Sequence, residues 1–333
     1  MSKSMMDKVL SIRQKISGGM IPAVPVPRYS DGSIHHDAQL AYADYLSKMQ
    51  ISGVAVWSHT GRGLYLNATE RQEVLMSWRS ALGQDKVIVA GAGARFTGSL
   101  PFAEQLKQWK RDAFRMAEHA VELGGDALLV FPPVIYKELP HNERDRGIVE
   151  YHRELSRLGI PLILFYLYEQ GGGMDYSDEV LHQLLSLPST AGIKMATLDR
   201  VMTLQHVSSL VTREYPDRLL ISGEDRMFGY SLMRGATSTL MGLGAAYPNI
   251  QGDLINSYQE KKYELFMELS SRIDGYAEVT FTEPMDQYIL RMLWSLVCAG
   301  VIPREAANDI VGYVLSEDEI EQLYSTIHKF RLY

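Results

Sequence analysis

The sequence predicts a (β/α)₈ barrel followed by a helical C-terminal segment. Short apolar runs alternate with segments of helical periodicity, and eight such runs fit within about 240 residues. Most runs are apolar at consecutive positions, which is typical of strands buried on both faces of a parallel sheet. An open doubly wound sheet is the alternative, but it usually has a glycine-rich loop after its first strand. Here the first run ends in prolines and Arg28 instead.

The elements follow in order along the chain. The predicted strands cover residues 21–27, 53–57, 87–91, 127–131, 162–168, 192–194, 219–222 and 238–241. The predicted helices between them cover residues 36–50, 68–82, 102–123, 143–158, 178–186, 199–213 and 226–234. Asn67 with Glu70 three positions later indicates a helix start, and Gly124 and Gly159 indicate helix ends.

The alternation stops near residue 247. We therefore predict a barrel over residues 1–246, with a short N-terminal helix at 3–17. Residues 247–333 are predicted to form about three helices, broken at 301–303, that pack on the barrel.

Composition excludes several classes of protein. The 333 residues carry a formal net charge of −7 without a basic cluster, which gives no electrostatic reason to expect nucleic acid or an anionic membrane as a partner. The single cysteine, Cys298, cannot form an intramolecular disulfide, and it is expected to be a buried apolar side chain. No signal-peptide pattern or membrane-length apolar run is evident, so a cytoplasmic location is predicted. The histidines show no metal-binding spacing, which disfavours a metal-dependent aldolase.

Lys194 is the residue that most suggests chemistry. The active sites of such barrels lie at the carboxyl ends of the strands, and Lys194 ends the apolar run 191–193. Desolvation there would lower the pKa of the amine, and a neutral amine can attack a ketone to form an imine. An ordinary surface lysine at a strand end is the alternative.

Five stretches, in the same order, resemble motifs of the dihydrodipicolinate synthase / N-acetylneuraminate lyase family. They are Ser-His-Thr-Gly-Arg-Gly at 58–63, Ala-Gly-Ala-Gly at 90–93, Gly-Ile-Lys-Met-Ala-Thr at 192–197, Ser-Gly-Glu-Asp at 222–225 and Glu-Pro at 283–284. The resemblance implies a barrel with C-terminal helices, commonly tetrameric, that needs no cofactor. It also implies that pyruvate or a related 2-keto acid is held as an imine of Lys194.

The same resemblance implies a proton-relaying tyrosine on the fifth strand. Counting back from Lys194 places Tyr166 at that position, whereas counting forward from Pro161 places Phe165 there. Tyr168 would share a face with Tyr166 because side chains alternate along a strand. We predict Tyr166 as the relay; packing of these tyrosines between barrel and helices is the alternative.

The keto acid's carboxylate is expected to contact the second-strand loop, as the resemblance implies. His59, Thr60 and Gly61 occupy that loop, with His59 replacing a usual threonine or serine. A donor to the carboxylate, an acid–base group and a solvated loop residue are all open interpretations of His59. The other predicted substrate contacts are Tyr168, Gly223 and Gly242.

Departures from the family pattern make dihydrodipicolinate synthesis an unexpected activity. Arg62 replaces the usual loop glutamate, and residues 169–173 lack the arginine that binds the second substrate. A fourth-strand tyrosine is also missing, and Tyr136 would replace it only in a remodelled loop. Arg62, Arg95 and Arg226 are either binding groups for a substrate acid or loop salt-bridge residues.

The sequence therefore favours a class I lyase that cleaves or forms a carbon–carbon bond in a pyruvate-type or sugar-derived 2-keto-3-deoxy acid. A dehydratase of such an acid and a non-catalytic, keto-acid-binding regulator are the alternatives. The expected partner is the small keto acid, and a homo-oligomer, tetramer or dimer, is predicted.

Overall fold

The computed structural model describes residues 4–96, 98 and 101–333. Its eight strands are parallel and lie in the order β1-β8-β7-β6-β5-β4-β3-β2. A bridge between Ala23 and Ala55 brings the chain after β1 against β2, so the sheet is a nearly closed barrel, as the sequence predicted. The strands are β1 (Met20–Pro22), β2 (Gly53–Val56), β3 (Val87–Ala92), β4 (Ala127–Val130), β5 (Leu162–Leu167), β6 (Thr190–Ala196), β7 (Leu219–Ser222) and β8 (Ser238–Met241).

Helices alternate with these strands. The first eight are α1 (Met5–Ile16), α2 (His36–Ser47), α3 (Ala68–Leu82), α4 (Phe102–Glu122), α5 (His141–Leu155), α6 (Asp178–Leu185), α7 (Val201–Glu214) and α8 (Phe228–Met233). Asn67 caps α3, and the side chain of Glu70 bonds back to the Asn67 amide, as the sequence indicated. The first strand is shorter than predicted. The Ala23 and Val24 N–H groups still donate to Met241 and Ala55, but Pro25 and Pro27 beyond them have no N–H to continue a ladder.

The C-terminal segment forms four α-helices in the described residues, and the prediction of about three was wrong. They are α9 (Pro248–Gln259), α10 (Tyr263–Thr280), α11 (Tyr288–Cys298) and α12 (Glu317–Phe330). The missed break lies between α9 and α10, where Lys261 adopts a left-handed conformation with φ of 60°. The break between α11 and α12 includes Pro303, as expected.

Two apolar layers hold these elements together. Inward side chains of the strands, such as Val89 and Ile163, fill the barrel interior, while alternate side chains such as Val54 and Leu164 pack against the helices. Helix α11 packs against the turn after β8, which brings its first residues to the carboxyl ends of the strands. This contact positions Tyr288 for the site described below.

The structure also bears on membrane spans, metal sites and the single cysteine. Within the described part of the chain, no helix is both long and apolar enough to cross a membrane. The same residues contain no cluster of three or more side chains able to hold a metal ion. Cys298 ends α11 and is half-buried, and burial raises the pKa of its thiol.

Candidate active site

Lys194 lies inside the barrel, near the carboxyl end of β6, and only 5% of its surface is exposed. It pairs in register with Phe165 on β5, and its Nζ atom lies 4.2 Å from the centre of the Phe165 ring. A Cβ atom on Gly223 would lie 2.4 Å from the Lys194 Cε atom. Any larger residue at position 223 would therefore displace the lysine stem.

Burial and nearby carboxyl groups set the charge of Lys194. Burial lowers the pKa of the amine to about 8, although the charges of Asp225 and Glu224 act in the opposite direction. Burial also raises the pKa of Asp225 to about 7, against the effects of the Leu243 N–H at 2.8 Å and of Lys194. The environment thus shifts both groups toward their neutral forms, and a neutral amine is the nucleophilic form.

Glu224 organises the turn that follows Lys194. Its carboxylate accepts hydrogen bonds from the Thr197 N–H, the Thr197 hydroxyl and the Leu198 N–H, each at 2.8 Å. Leu198 has a φ of 54°, an uncommon conformation for a residue with a side chain. Burial raises the pKa of Glu224, while these donors and Lys194 lower it. The carboxylate therefore holds the backbone beyond β6 in place.

Tyr166 does not face Lys194, so the prediction that it relays protons at this amine is wrong. Its side chain belongs to the layer between barrel and helices, and its hydroxyl donates to Asp175 at 3.0 Å. The ring also packs edge-on against Tyr176. Alternation along β5 directs Phe165 inward instead, so no hydroxyl is available at the position next to the amine.

Tyr168 reaches the interior although Tyr166 does not, so the expectation that they share a face was also wrong. The strand ends at Leu167, and both Leu167 and Tyr168 join the inner layer because regular alternation stops there. The Tyr168 hydroxyl is buried and has no hydrogen-bond partner in the described structure. Burial, followed by the charges of Asp286 and Asp225, raises its pKa. This phenol is available to a ligand.

The second-strand loop brings His59 and Thr60 together with Tyr288 of α11. The Tyr288 hydroxyl lies 2.9 Å from the Thr60 Oγ1 atom and 3.1 Å from the His59 Nδ1 atom. The amides of Thr60 and Gly61 make no hydrogen bond with other described residues. Two N–H groups are thus free at the position where the sequence predicted a carboxylate contact.

Tyr288 is fixed by its neighbours. Its ring stacks on Phe281 at 4.4 Å and on His59 at 6.0 Å. A Cβ atom on Gly242 would lie 2.8 Å from the Tyr288 ring and 3.2 Å from the Thr60 Oγ1 atom. Gly242 therefore allows the phenol to reach the second-strand loop. Burial raises the pKa of Tyr288 well above its ordinary value, so the hydroxyl keeps its proton.

His59 is neutral in this setting and is not a solvated loop residue. Burial lowers its pKa to about 4, although the charge of Asp286 opposes the shift; the charges of Arg62 and Lys194 lower it further. The His59 Nε2 atom lies 3.4 Å from the Asp286 carboxylate.

Arg62 is a structural ion-pair residue. Its guanidinium donates to both carboxylate oxygens of Asp309, at 3.0 and 2.5 Å, and to Asp286 at 2.5 Å. Burial opposes the charged form, but these two carboxylates raise the pKa of the guanidinium above its ordinary value. Arg62 therefore ties the second-strand loop to the C-terminal segment and holds Asp286 beside His59.

A cavity of about 370 Å³ opens at the mouth of the barrel. It borders His59 and Phe131, and the Phe131 ring centre lies 5.9 Å from that of Phe165, the residue that packs on Lys194. Arg95 lines it and lies 4.2 Å from the centre of the Tyr65 ring. Arg95 forms no ion pair within the described residues, so it remains a candidate for binding an acid group.

Two other candidates lie outside the centre of the site. Tyr136 packs against Trp109 in the outer layer, so the loop does not place it at the mouth. Arg226 donates to the Phe281 carbonyl at 3.1 Å.

Sequence reasoning missed Tyr288, Asp286 and Asp309. All three lie more than 220 positions from the loop that they contact. The acid-proline pair at 283–284 was the nearest signal, but nothing in its neighbourhood indicated contact with the second-strand loop.

A parallel eight-stranded barrel with buried titratable side chains at its mouth is typical of enzymes of the TIM-barrel class. The chain belongs to the Dihydrodipicolinate synthetase family, whose family model matches residues 16–328. Its relatives in that family are lyases and synthases of the aldolase type.

Relatives and solved structures support this assignment. The N-acetylneuraminate lyase of Rhizobium meliloti is 25% identical over 290 residues, covering 87% of this chain and 83% of the relative. The 4-hydroxy-tetrahydrodipicolinate synthase of Porphyromonas gingivalis is 24% identical over 311 residues, covering 91% and 97%. The dihydrodipicolinate synthase structure from Oceanobacillus iheyensis superposes with a TM-score of 0.78 at 16% identity, covering 98% of this chain and 100% of that one. That last likeness is evidence for the fold.

Proposed function

We propose that the protein is a class I lyase that binds a 2-keto acid as an imine of Lys194 and makes or breaks the bond between C3 and C4. The observation that carries the proposal is the buried Lys194 amine, whose pKa is lowered to about 8 beside Gly223 and Phe165. A lysine that is partly neutral at physiological pH is suited to attack a ketone.

The reaction begins when the neutral Lys194 amine adds to the C2 carbonyl. The carbinolamine hydroxyl takes a proton from solvent and leaves as water, which gives a protonated imine; that proton returns to solvent when hydrolysis restores the neutral amine. A base then takes the proton of the C4 hydroxyl, the C3–C4 bonding electrons move toward the imine nitrogen, and an aldehyde leaves. Protonation of the enamine at C3 and hydrolysis by one water release pyruvate and restore the amine.

The second-strand loop is suited to hold the keto acid's carboxylate. The free N–H groups of Thr60 and Gly61 are the donors that we assign to it. The unpartnered Tyr168 hydroxyl is assigned a hydrogen bond to the bound acid, since a buried hydroxyl without a partner is unfavourable until a ligand supplies one. We also assign backbone contacts with the bound acid to Gly223 and Gly242, where the absence of a side chain leaves room for the Lys194 stem and for the Tyr288 ring.

We propose that the reaction is not dihydrodipicolinate synthesis. Residues 169–173 contain no arginine, and Tyr136 lies in the outer layer. Arg95, at the open cavity, is the group that we assign to an acid on the distal half of the substrate.

Reductive trapping tests this proposal. The protein is incubated with pyruvate and sodium borohydride, digested, and analysed by mass spectrometry. The expected result is one reduced pyruvate adduct on the peptide that contains Lys194. Lys194→Ala should lose the adduct, whereas Lys137→Ala, which removes a surface lysine paired with Glu169, should keep it. The absence of an adduct with pyruvate and with longer 2-keto acids would defeat the proposal.

A keto-acid-binding regulator is a second candidate, and the phenyl ring of Phe165 next to the amine favours it. Such a protein would form the adduct without converting any acid. Turnover of a panel of 2-keto-3-deoxy acids that disappears in Lys194→Ala would eliminate this candidate. The products separate cleavage, which releases pyruvate, from dehydration, which does not.

A further inference from the structure

We propose that Asp286, His59, Tyr288 and Thr60 form a proton relay that serves the imine of Lys194 and takes the place of a phenol at position 165. This inference rests on the proposed function. It assigns acid–base chemistry to residues that come partly from the second-strand loop and partly from the C-terminal helices.

The contacts give the relay a direction. The His59 Nε2 atom faces the Asp286 carboxylate at 3.4 Å, so the ring proton belongs on Nε2 and Nδ1 is left as an acceptor. The Tyr288 hydroxyl, 3.1 Å away, then donates to Nδ1. Its oxygen is free to accept from the Thr60 hydroxyl at 2.9 Å. A carboxylate that fixes a histidine tautomer, and a histidine that accepts a hydroxyl proton, make up the logic of a catalytic triad.

The surroundings preserve this arrangement. Arg62 holds the other oxygen of Asp286, and Asp309 holds Arg62. Phe281 and Gly242 fix the Tyr288 ring, which is 4% exposed. Relay groups held within a few tenths of an ångström can transfer protons without first being reoriented.

One network accounts for three unusual features. His59 supplies a ring nitrogen that the usual threonine or serine could not. Arg62 orients the carboxylate behind that ring. Phe165 leaves the fifth-strand position without a hydroxyl, and Tyr288 provides a phenol from α11. Each feature departs from the usual family pattern when considered alone. Together, His59 supplies the base, Arg62 holds the carboxylate that supports it, and Tyr288 carries the proton.

The proton transfers balance in the cleavage direction. Thr60 Oγ takes the proton of the C4 hydroxyl as its own proton passes to Tyr288 and the Tyr288 proton passes to His59 Nδ1. The C3–C4 electrons move toward the imine nitrogen, the aldehyde leaves, and an enamine remains beside an imidazolium paired with Asp286. The same path returns the proton to C3 and regenerates neutral His59.

Hydrogen exchange into pyruvate tests the relay without requiring the natural aldehyde. The full-length protein is incubated with pyruvate in D₂O, and loss of the methyl proton signal is followed by NMR. We expect Tyr288→Phe, which keeps the stacked ring, to exchange about 100-fold more slowly than the unaltered protein. The borohydride-trapped adduct at Lys194 should form in equal yield in both.

Matched variants separate proton transfer from structural damage. Tyr276→Phe removes another buried hydroxyl, which donates to Ser295 at 2.7 Å, and should leave exchange unchanged. Thr60→Val should slow exchange, and Thr60→Ser should restore it.

Three results would overturn the relay. One is exchange at the normal rate in Tyr288→Phe. Another is an equal loss of adduct and exchange in that variant, which would mean that Tyr288 supports Lys194 instead of carrying protons. The third is absence of adduct in the unaltered protein, which defeats the proposed function at the earlier step and is distinguished by the trapping assay.

Discussion

The two sides of the barrel mouth differ in the charge that their buried groups keep. On the side of β6 and β7, burial lowers the pKa of Lys194 to about 8 and raises that of Asp225 to about 7, so both groups move toward neutrality. On the side of β2 and α11, Arg62 is also buried, yet its pKa rises because Asp286 and Asp309 neutralise it.

The difference lies in hydrogen bonding. Arg62 donates in a forked geometry to Asp309 and also to Asp286, whereas among the described residues no hydrogen bond joins Lys194 to a carboxylate. A buried charge that is fully paired stays charged, and one that is incompletely paired becomes neutral. The first arrangement stabilises structure, and the second suits a nucleophile.

Arg62→Ala should have the largest effect on stability. It leaves Asp309 buried without its cation, and breaking a buried ion pair from one side costs about 3–5 kcal/mol. Urea unfolding should show that loss. Arg200→Ala, which removes an arginine paired with Asp175 at the surface, should cost at most about 1 kcal/mol. Equal losses of unfolding free energy in the two variants would show that the buried ion pairs of Arg62 contribute no more to stability than a surface pair.

A change of pH should have the next largest effect, and the quantity affected is the rate of imine formation. A lysine with a lowered pKa is protonated below that pKa, so the neutral fraction rises with pH. The rate of adduct formation with pyruvate should therefore rise about tenfold per pH unit below pH 8 and level off above it. Rapid-quench trapping across pH 6–10 measures this. A rate that continues to rise to pH 10 would show an unperturbed lysine.

The Asp225→Asn variant sharpens that measurement. The Asp225 carboxylate raises the pKa of Lys194, so its removal should displace the curve to lower pH. No displacement would mean that burial alone sets the amine's pKa.

Tyr166→Phe should have the smallest effect, both on the free energy of unfolding and on turnover. It removes one hydrogen bond to Asp175, which also binds Arg200, so the loss of unfolding free energy should be about 1 kcal/mol. Turnover should change less than about twofold, whereas Tyr168→Phe should reduce it by tenfold or more. A large loss of turnover in Tyr166→Phe but not in Tyr168→Phe would show that the outer-layer tyrosine is the functional one, against this expectation.

The sequence predicted the barrel because its signals are local. Strands such as β7 and β8 were placed at their observed bounds, since their apolar runs end at turns. The position of Lys194 near the carboxyl end of β6 followed for the same reason. The β5 face was mistaken because a shift of one residue exchanges Phe165 and Tyr166 between inside and outside.

The other half of the site could not be predicted in this way. Tyr288 meets Thr60 across 228 positions of sequence, and the contact depends on how α11 packs on the barrel. Periodicity describes the face of one helix, not which loop that face will meet. The sequence singles out His59 as a departure from the usual loop motif, but the neutral state of His59 depends on burial by elements distant in the chain.

Asp286, Tyr288 and Asp309 all follow residue 246, so the barrel and the helices after it each contribute a part of one candidate site. Recombination that joined this barrel to the C-terminal helices of a divergent family member would combine the Lys194 nucleophile with acid–base residues that do not match its second-strand loop. Selection should therefore transmit the two segments as a linked pair, and chimaeras spliced after residue 246 should retain pyruvate capture while losing exchange chemistry.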